Sequence, residues 1–276
     1  RFSSSEVTVA ANGSDDTRFD LLVVGSGPGG YIAAIRASQL GMKVACVEAD
    51  RLGGVCLNIG CIPTKALLTS ALLANDMKSA EKHGIRATEL SFDLGPAQER
   101  SRGVANQLSR GIAGLFKKNK ITHVQGYGRL KGEGRVEVEG EDGTTTLEAD
   151  HIIIATGSRP RNLPFLQIDE DRIWSSTGAL MHTEAPSSLL IVGAGAIGME
   201  FADIYEAFGT KVTIVEALDR ILPLEDHEVS AFMARTYKKR GIDIHTSARF
   251  ESADIQDDGV QATFKDAKGE VHEMRV

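Results

Sequence analysis

Cysteine is scarce in this chain. Cys46, Cys56 and Cys61 are the only three in 276 residues, too few for the stapled framework of a small secreted domain. A disulfide in so thiol-poor a chain is usually catalytic and belongs to a reducing compartment, so a cytoplasmic location is expected, with the mitochondrial matrix as the alternative. No second cysteine pair exists to complete the usual zinc spacing, and no metal site is expected. Basic charge is also in deficit. The net charge of −7 argues against a nucleic-acid or anionic-membrane surface. No apolar run approaches the ~18 residues that a membrane span needs, so neither nucleic acid nor membrane is an expected partner. Position 1 is Arg rather than Met, which leaves the natural start expected upstream. Arg1–Thr17 lacks periodicity, is rich in Ser, Asp and small residues, and reads as a disordered tail or linker remnant. A transit-peptide remnant would be poorer in acidic residues. What remains is ordinary globular composition, 42% hydrophobic and 25% charged, and enough length for two domains with real cores.

An internal repeat organises those domains. Phe19–Val24 reads as a short apolar strand, followed by Gly25-Ser26-Gly27-Pro28-Gly29-Gly30, an Ala-rich helix to Leu40, Gly41, a strand Lys43–Val47 and Glu48. The pattern returns 168 residues later as Leu189–Val192, Gly193-Ala194-Gly195-Ala196-Ile197-Gly198, a helix to Phe208, Gly209, Lys211–Val215 and Glu216. Each G-x-G-x-x-G carries a division of labour. The first glycine makes the tight turn, the second admits a pyrophosphate, the third lets helix pack on strand, and the acid hydrogen-bonds a ribose hydroxyl. The pyrophosphate lies at a helix N-terminus, where free N–H groups favour anions. A lone fingerprint is weak. Two, each with its strand, helix, second strand and acid in register, imply two dinucleotide-binding units.

The expected fold is therefore α/β, two Rossmann-like domains with central parallel sheets and an antiparallel β-meander. The first domain is read over 18–158 and the second over 159–276. Between the fingerprints, the pattern predicts a polar stretch Glu81–Leu94 and a helix Pro96–Lys118. Meander strands follow at Ile121–Leu130, Arg135–Glu139 and Thr144–Ala149, then a central strand His151–Ala155. After Glu216 come a helix Asp226–Arg240, a strand Ile242–His245, and strand-like Ala248–Asp254, Val260–Phe264 and Val271–Val276.

Gly53-Gly54-Val55-Cys56-Leu57-Asn58-Ile59-Gly60-Cys61-Ile62-Pro63-Thr64-Lys65 carries the chemistry. Five residues of ideal helix rise about 7.5 Å, whereas a disulfide tolerates at most roughly 7 Å between Cα atoms. A regular helix cannot carry a Cys56–Cys61 bridge, so the segment must be distorted, and Gly60 makes that easier. Pro63 then suits the start of a helix Pro63–Ala74. Two buried thiols or a structural disulfide remain open on spacing alone. The fingerprint upstream favours a redox pair. Cys46, inside a strand, reads as a small core residue.

These residues resemble the flavin disulfide reductases, and within them the dihydrolipoamide dehydrogenase branch. The likeness runs from Phe19 onward. Leu57, the Ala66-Leu67-Leu68 run and A-T-G-S-R-P-R-N-L-P favour that branch; Val55 and Thr64 depart mildly from its commonest Thr and Ser. The resemblance implies FAD in the first domain, at Gly25, Gly27, Gly30, Glu48, Gly54, Val55, Cys56, Lys65, Gly128, Thr156, Gly157 and Ser158. It implies NAD in the second, at Gly193, Gly195, Ile197, Gly198, Glu200, Glu216 and Phe250. A carboxylate at Glu216 also accepts from a ribose 2′-hydroxyl and repels a 2′-phosphate, which favours NAD over NADP. In the implied reaction a dihydrolipoyl thiolate attacks Cys56, on the substrate side, while Cys61 faces the flavin. Lys65, one turn beyond Cys61, is implied to pair with Glu200 across the two domains. The implied partners are the dihydrolipoyl group of an acyltransferase or carrier protein, within a 2-oxo acid dehydrogenase complex, and a second copy of the chain. The family's His–Glu proton-transfer pair, second flavin segment and dimerisation domain are expected beyond Val276, and none of the seven histidines here is assigned a catalytic role. The chain by itself is accordingly expected not to turn over. A mercuric- or glutathione-reductase-like enzyme, or a flavin- or NAD-binding fragment without turnover, are the alternatives.

Overall fold

The structure is a computed structural model that describes residues 17–163 and 166–276. The tail read over Arg1–Thr17 lies outside the described residues except for Thr17. The chain divides into two compact units, Arg1–Pro63 with Arg102–Arg159, and Thr64–Ser101 with Pro160–Val276.

The first unit is built on β1 (Arg18–Val24), α1 (Pro28–Gln39), β2 (Val44–Glu48) and α2 (Gly54–Ile59), with the opening residues of α3 (Cys61–Lys78) and the later turns of α4 (Leu94–Lys118). It then adds β3 (Thr122–Gln125), β4 (Tyr127–Gly132), β5 (Arg135–Gly140) and β6 (Gly143–Ile154). One sheet of six strands has the order β3-β2-β1-β6-β5-β4. β1 is parallel to β2 and β6, with Val23 opposite Cys46 and Ile153. Leu21, Leu22, Val23 and Val24 are all buried, as a strand covered on both faces requires. The period of two sorts them. Leu21 and Val23 pack with Ala34, Ala37, Ile112 and Phe116 from the helices, while Leu22 and Val24 pack with Val136, Val138 and Leu147 from the meander. Pro28 opens α1, where its missing N–H is not needed.

Two strand expectations are corrected. Ile121–Leu130 is not one strand. Gly126, at φ +146°, breaks it into β3, parallel to β2, and β4, antiparallel to β5. Its N–H goes to Glu48 O, 2.8 Å away, and a Cβ there would stand 2.7 Å from Glu139 O. Conversely, Thr144–Ala149 and His151–Ala155 are one strand, β6, antiparallel to β5 and parallel to β1. Asp150 does not interrupt it; its carboxylate is exposed and pairs with Arg18 at 2.9 Å.

The second unit carries α5 (Ser176–Ala179), β7 (Ser188–Val192), α6 (Ala196–Ala207), β8 (Lys211–Val215), α7 (His227–Lys239) and β9 (Asp243–His245). β7, β8 and β9 form a parallel sheet in that order. β10 (Arg249–Gln256), β11 (Gly259–Lys265) and β12 (Val271–Arg275) form an antiparallel one. Asp226 caps α7 by accepting from Glu228 N at 2.8 Å. Residues 64–101, read from sequence as part of the first domain, pack in this second unit. Leu67 joins Leu94, Ala97, Ala202 and Tyr205 in one buried cluster, and Ala71 and Ala74 join Ala207 in another. Positions 67, 71 and 74 are spaced to share one helical face.

The helical stretch Gly54–Lys78 is, by length and by a mean hydropathy of 1.4, long and apolar enough to cross a membrane. The sequence reading that no run approaches that threshold is thus corrected. The stretch is interrupted at Gly60, and its buried Leu67, Ala71 and Ala74 serve the core of the second unit. The cysteine segment also differs from expectation in its bounds. The second helix begins at Cys61, two residues before Pro63, and runs to Lys78 rather than Ala74.

Candidate functional site

The two fingerprint turns are built alike, each within its own unit. In the first, Glu48 Oε2 accepts from Ser26 N at 2.9 Å and Ser26 Oγ at 2.6 Å, and Oε1 accepts from Asp50 N at 2.8 Å. In the second, Glu216 Oε2 accepts from Ala194 N at 2.7 Å and Oε1 from Leu218 N at 2.8 Å. Gly25 N donates to Val47 O and Gly193 N to Val215 O. Each partner stands 168 residues from its counterpart. The glycines divide as their roles require. A Cβ at Gly30 would overlap the carbonyl oxygen of Gly25, and one at Gly198 that of Gly193. A Cβ at Gly27 or Gly195 would meet nothing within 4 Å among the described residues. The third glycine closes helix onto strand; the second faces open space where a pyrophosphate can approach.

Around the first turn the structure gathers several sequence-predicted residues. A Cβ at Gly54 would stand 2.7 Å from Gly27 Cα, so the start of α2 lies on the second glycine. Gly53 N donates to Ser26 O at 3.0 Å. Gly25 abuts Ala155, which sets Thr156, Gly157 and Ser158, all exposed, beside the same turn. Gly128 packs against Val24 and Val47. Val55 and Ile154 are exposed apolar side chains at this end of the unit, surface that a flat aromatic ligand would cover. Cys46 lies beneath, fully buried. Burial, and then the Glu48 carboxylate, push its thiol up to about 12, which makes it inert, as expected of a core residue.

Cys56 sits in α2 and Cys61 opens α3. Gly60 separates them, where a Cβ would stand 2.9 Å from Val55 O and 3.2 Å from Cys56 Cα. The distortion required by a five-residue bridge is therefore present, and it depends on close backbone approach. Cys61 is exposed and Cys56 half-buried; the expected sides, Cys56 toward substrate and Cys61 toward the flavin, concern the FAD-loaded protein.

Lys65 Nζ and Glu200 Oε1 are 2.6 Å apart. The pair forms, but both residues belong to the second unit rather than to different ones, and the lysine side chain is 59% exposed. Ile197 is exposed beside the second turn. Phe250 is buried with Val215, Ala248, Ala262 and Phe264, so its side chain serves the core.

Sequence reasoning missed Ser26, Asn58 and Arg102. Ser26 is fully buried, its N–H and hydroxyl both taken by Glu48; a small polar residue inside a glycine-rich turn was the available signal. Asn58 Nδ2 donates to Leu52 O at 3.1 Å and Gly54 O at 2.9 Å. Arg102 Nη1 donates to Asn58 O at 2.7 Å. Nothing in their spacing marks either.

Known proteins agree with this geometry. The family profile described as pyridine nucleotide-disulphide oxidoreductase matches residues 19–275. A dihydrolipoyl dehydrogenase of Zymomonas mobilis is 48% identical over 258 residues, 93% of this chain and 55% of that protein. The mitochondrial dihydrolipoyl dehydrogenase 1 of Arabidopsis thaliana is 43% identical over 94% of this chain and 52% of its own. The crystal structure of LpdA from Mycobacterium tuberculosis superposes with a TM-score of 0.83 at 28% identity, covering 93% of this chain and 56% of that one. The chain thus spans about half the length of the curated relatives it matches. With its match covering nearly every described residue, the chain belongs to the pyridine nucleotide-disulphide oxidoreductase family.

Proposed function

We propose that this chain carries the nucleotide-binding and dithiol part of an NAD-dependent dihydrolipoyl dehydrogenase. The observation that carries the reading is the helix break at Gly60, which separates Cys56 from Cys61 in a segment whose start lies on the first fingerprint turn. The residues fit both cofactors. Each turn offers an open second glycine, and Glu48 and Glu216 keep lone pairs beyond those their backbone bonds occupy, since a carboxylate has about four acceptor sites. The first unit would hold FAD and the second NAD.

A dihydrolipoyl thiolate attacks Cys56 Sγ; the new S–S bond forms as the Cys56–Cys61 bond breaks and Cys61 leaves as thiolate. The second dihydrolipoyl sulfur then displaces Cys56, giving lipoamide and a reduced pair. FAD, held in the first unit, would supply the two-electron chemistry that joins the reduced pair to NAD+, and Cys61, the thiolate released from the bridge, is the cysteine that would face it. Gly54 and Val55 place the pair against the first turn, and the Lys65–Glu200 pair fixes the lysine one turn beyond Cys61. The partners on this reading are a lipoylated acyltransferase or carrier of a 2-oxo acid dehydrogenase complex and a second copy of the chain. The location is the cytoplasm, with the mitochondrial matrix as alternative.

The test uses the full-length FAD-loaded protein. NAD+ reduction by dihydrolipoamide is expected, abolished by Cys56→Ser and by Cys61→Ser. Turnover that survives both substitutions, or a preference for glutathione disulfide with NADPH, overturns the reading.

A further inference from the structure

We propose that Arg102 is a positioning residue for the Cys56–Cys61 pair, holding open the helix break that the bridge needs by capping the carboxyl end of α2. The proposal rests on the redox reading of the two cysteines.

A helix that stops leaves the carbonyls of its last turn without intrahelical partners. α2 stops at Ile59, and Gly60 lies between it and the helix that starts at Cys61. One continuous helix would satisfy those carbonyls better, yet a continuous helix holds residues five apart too far for a disulfide. Some group has to favour the broken form. Arg102 reaches from α4 and donates from Nη1 to Asn58 O at 2.7 Å, a charged donor at the negative end of a helix. The side chain of Asn58 ties the same turn back to Leu52 O and Gly54 O, so the capped residue sits midway between the two cysteines and is fixed at both ends.

Arg102 is a poor choice if stability were its role. Its Nε and Nη2 are buried with no acceptor among the described residues. Burial, and then the neighbouring Arg51 guanidinium, hold its guanidinium below the ordinary arginine range. An unpaired buried donor is unfavourable, and an apolar side chain of similar length would avoid it. What methionine cannot supply is the bond to Asn58 O. Loss of Arg102 therefore shows in the dithiol more than in the fold.

The experiment poises the intact FAD-loaded protein, under argon, against mixtures of glutathione and glutathione disulfide. Oxidation forms the Cys56–Cys61 bond and breaks the glutathione S–S bond. Two electrons and the two thiol protons pass to the two glutathione thiols. Acid quench, alkylation and mass spectrometry give the equilibrium constant. Arg102→Met is expected to lower the constant for forming the bridge about ten-fold, roughly 30 mV for a two-electron couple, with little change in melting temperature. Arg102→Lys, which keeps a charged donor, is expected to recover part of the shift. Ser109→Ala removes another α4 bond, the 2.8 Å contact of its hydroxyl with Leu52 O, and is expected to leave the constant unchanged. An unchanged constant in Arg102→Met, a shift toward easier bridging, or an equal loss in Ser109→Ala overturns the role of Arg102 alone. A wild-type protein that forms no Cys56–Cys61 bridge at any ratio overturns this role together with the redox reading beneath it.

Discussion

Replacing Glu216 with alanine separates two roles that the geometry assigns to one carboxylate. Glu216 is 7% exposed and accepts from Ala194 N and Leu218 N. Ala194 is fully buried, so its N–H would be left unsatisfied at a cost of about 1–3 kcal/mol. Leu218 is 54% exposed, and water can take over its N–H. The expected loss of stability is therefore about 2 kcal/mol, or roughly 4–8 °C in melting temperature for a unit of this size. The ligand effect is independent. Charge-assisted bonds to a ribose are worth about 1.5–3 kcal/mol, so NADH should bind on the order of 10–100-fold more weakly. The repulsion of a 2′-phosphate also disappears, and NADH and NADPH affinities should converge. Thermal melts of both proteins give the first number; fluorescence titrations with each nucleotide, well below the melt, give the second. If the melting temperature falls while NADH affinity and its advantage over NADPH stay as in the wild type, Glu216 is a clasp for the turn and nothing more. The ribose argument then fails.

Gly195→Ala should leave the fold intact and abolish NADH binding, because its Cβ meets no atom of the described residues within 4 Å; Gly198→Ala should lower the melting temperature first, because its Cβ overlaps the Gly193 carbonyl. Equal melting temperatures for the two would refute this division of roles. A double-mutant cycle on Lys65 and Glu200 should yield a coupling of no more than about 1 kcal/mol, since the lysine is mostly solvated. A coupling above about 2 kcal/mol would mean the pair works as a buried one. With FAD removed, iodoacetamide should modify Cys61 before Cys56, following their exposure, and with FAD bound the order should invert. The same order in both states would refute flavin cover of Cys61. Cys46, with its thiol pushed up to about 12, should stay unlabelled at pH 8 until the protein is denatured.

The repeat was legible because every part of it is local. Strand, glycines, helix and acid lie within one βαβ start, and the structure reproduces their hydrogen bonds pair by pair. The misread strands show where local signals end. Ile121–Leu130 holds two glycines, Gly126 and Gly128, and only the close approach of Glu139 and Val138 to Gly126 marks where the partner changes. Asp150 falls between two strand-like runs, and only pairing along both neighbours, β5 and β1, shows that they are one strand. The placement of 64–101 in the second unit follows from which core Leu67 and Ala97 enter, a choice that hydrophobic periodicity cannot express. At the site, motif residues were found because the chemistry prescribes their spacing. Asn58 and Arg102 were not, because a contact between two helices leaves no mark in either helix's own sequence.

The carboxylate clasps have a kinetic consequence. Glu48 and Glu216 close their glycine turns with protein donors alone, so both turns hold their shape before any nucleotide arrives. Binding then need not order a flexible glycine-rich loop, and the conformational entropy of doing so is already spent in folding. Nucleotide capture should accordingly proceed in a single bimolecular step, its rate linear in nucleotide concentration. A substitution that loosens a clasp while keeping its carboxylate should add a slow ordering step before the complex forms.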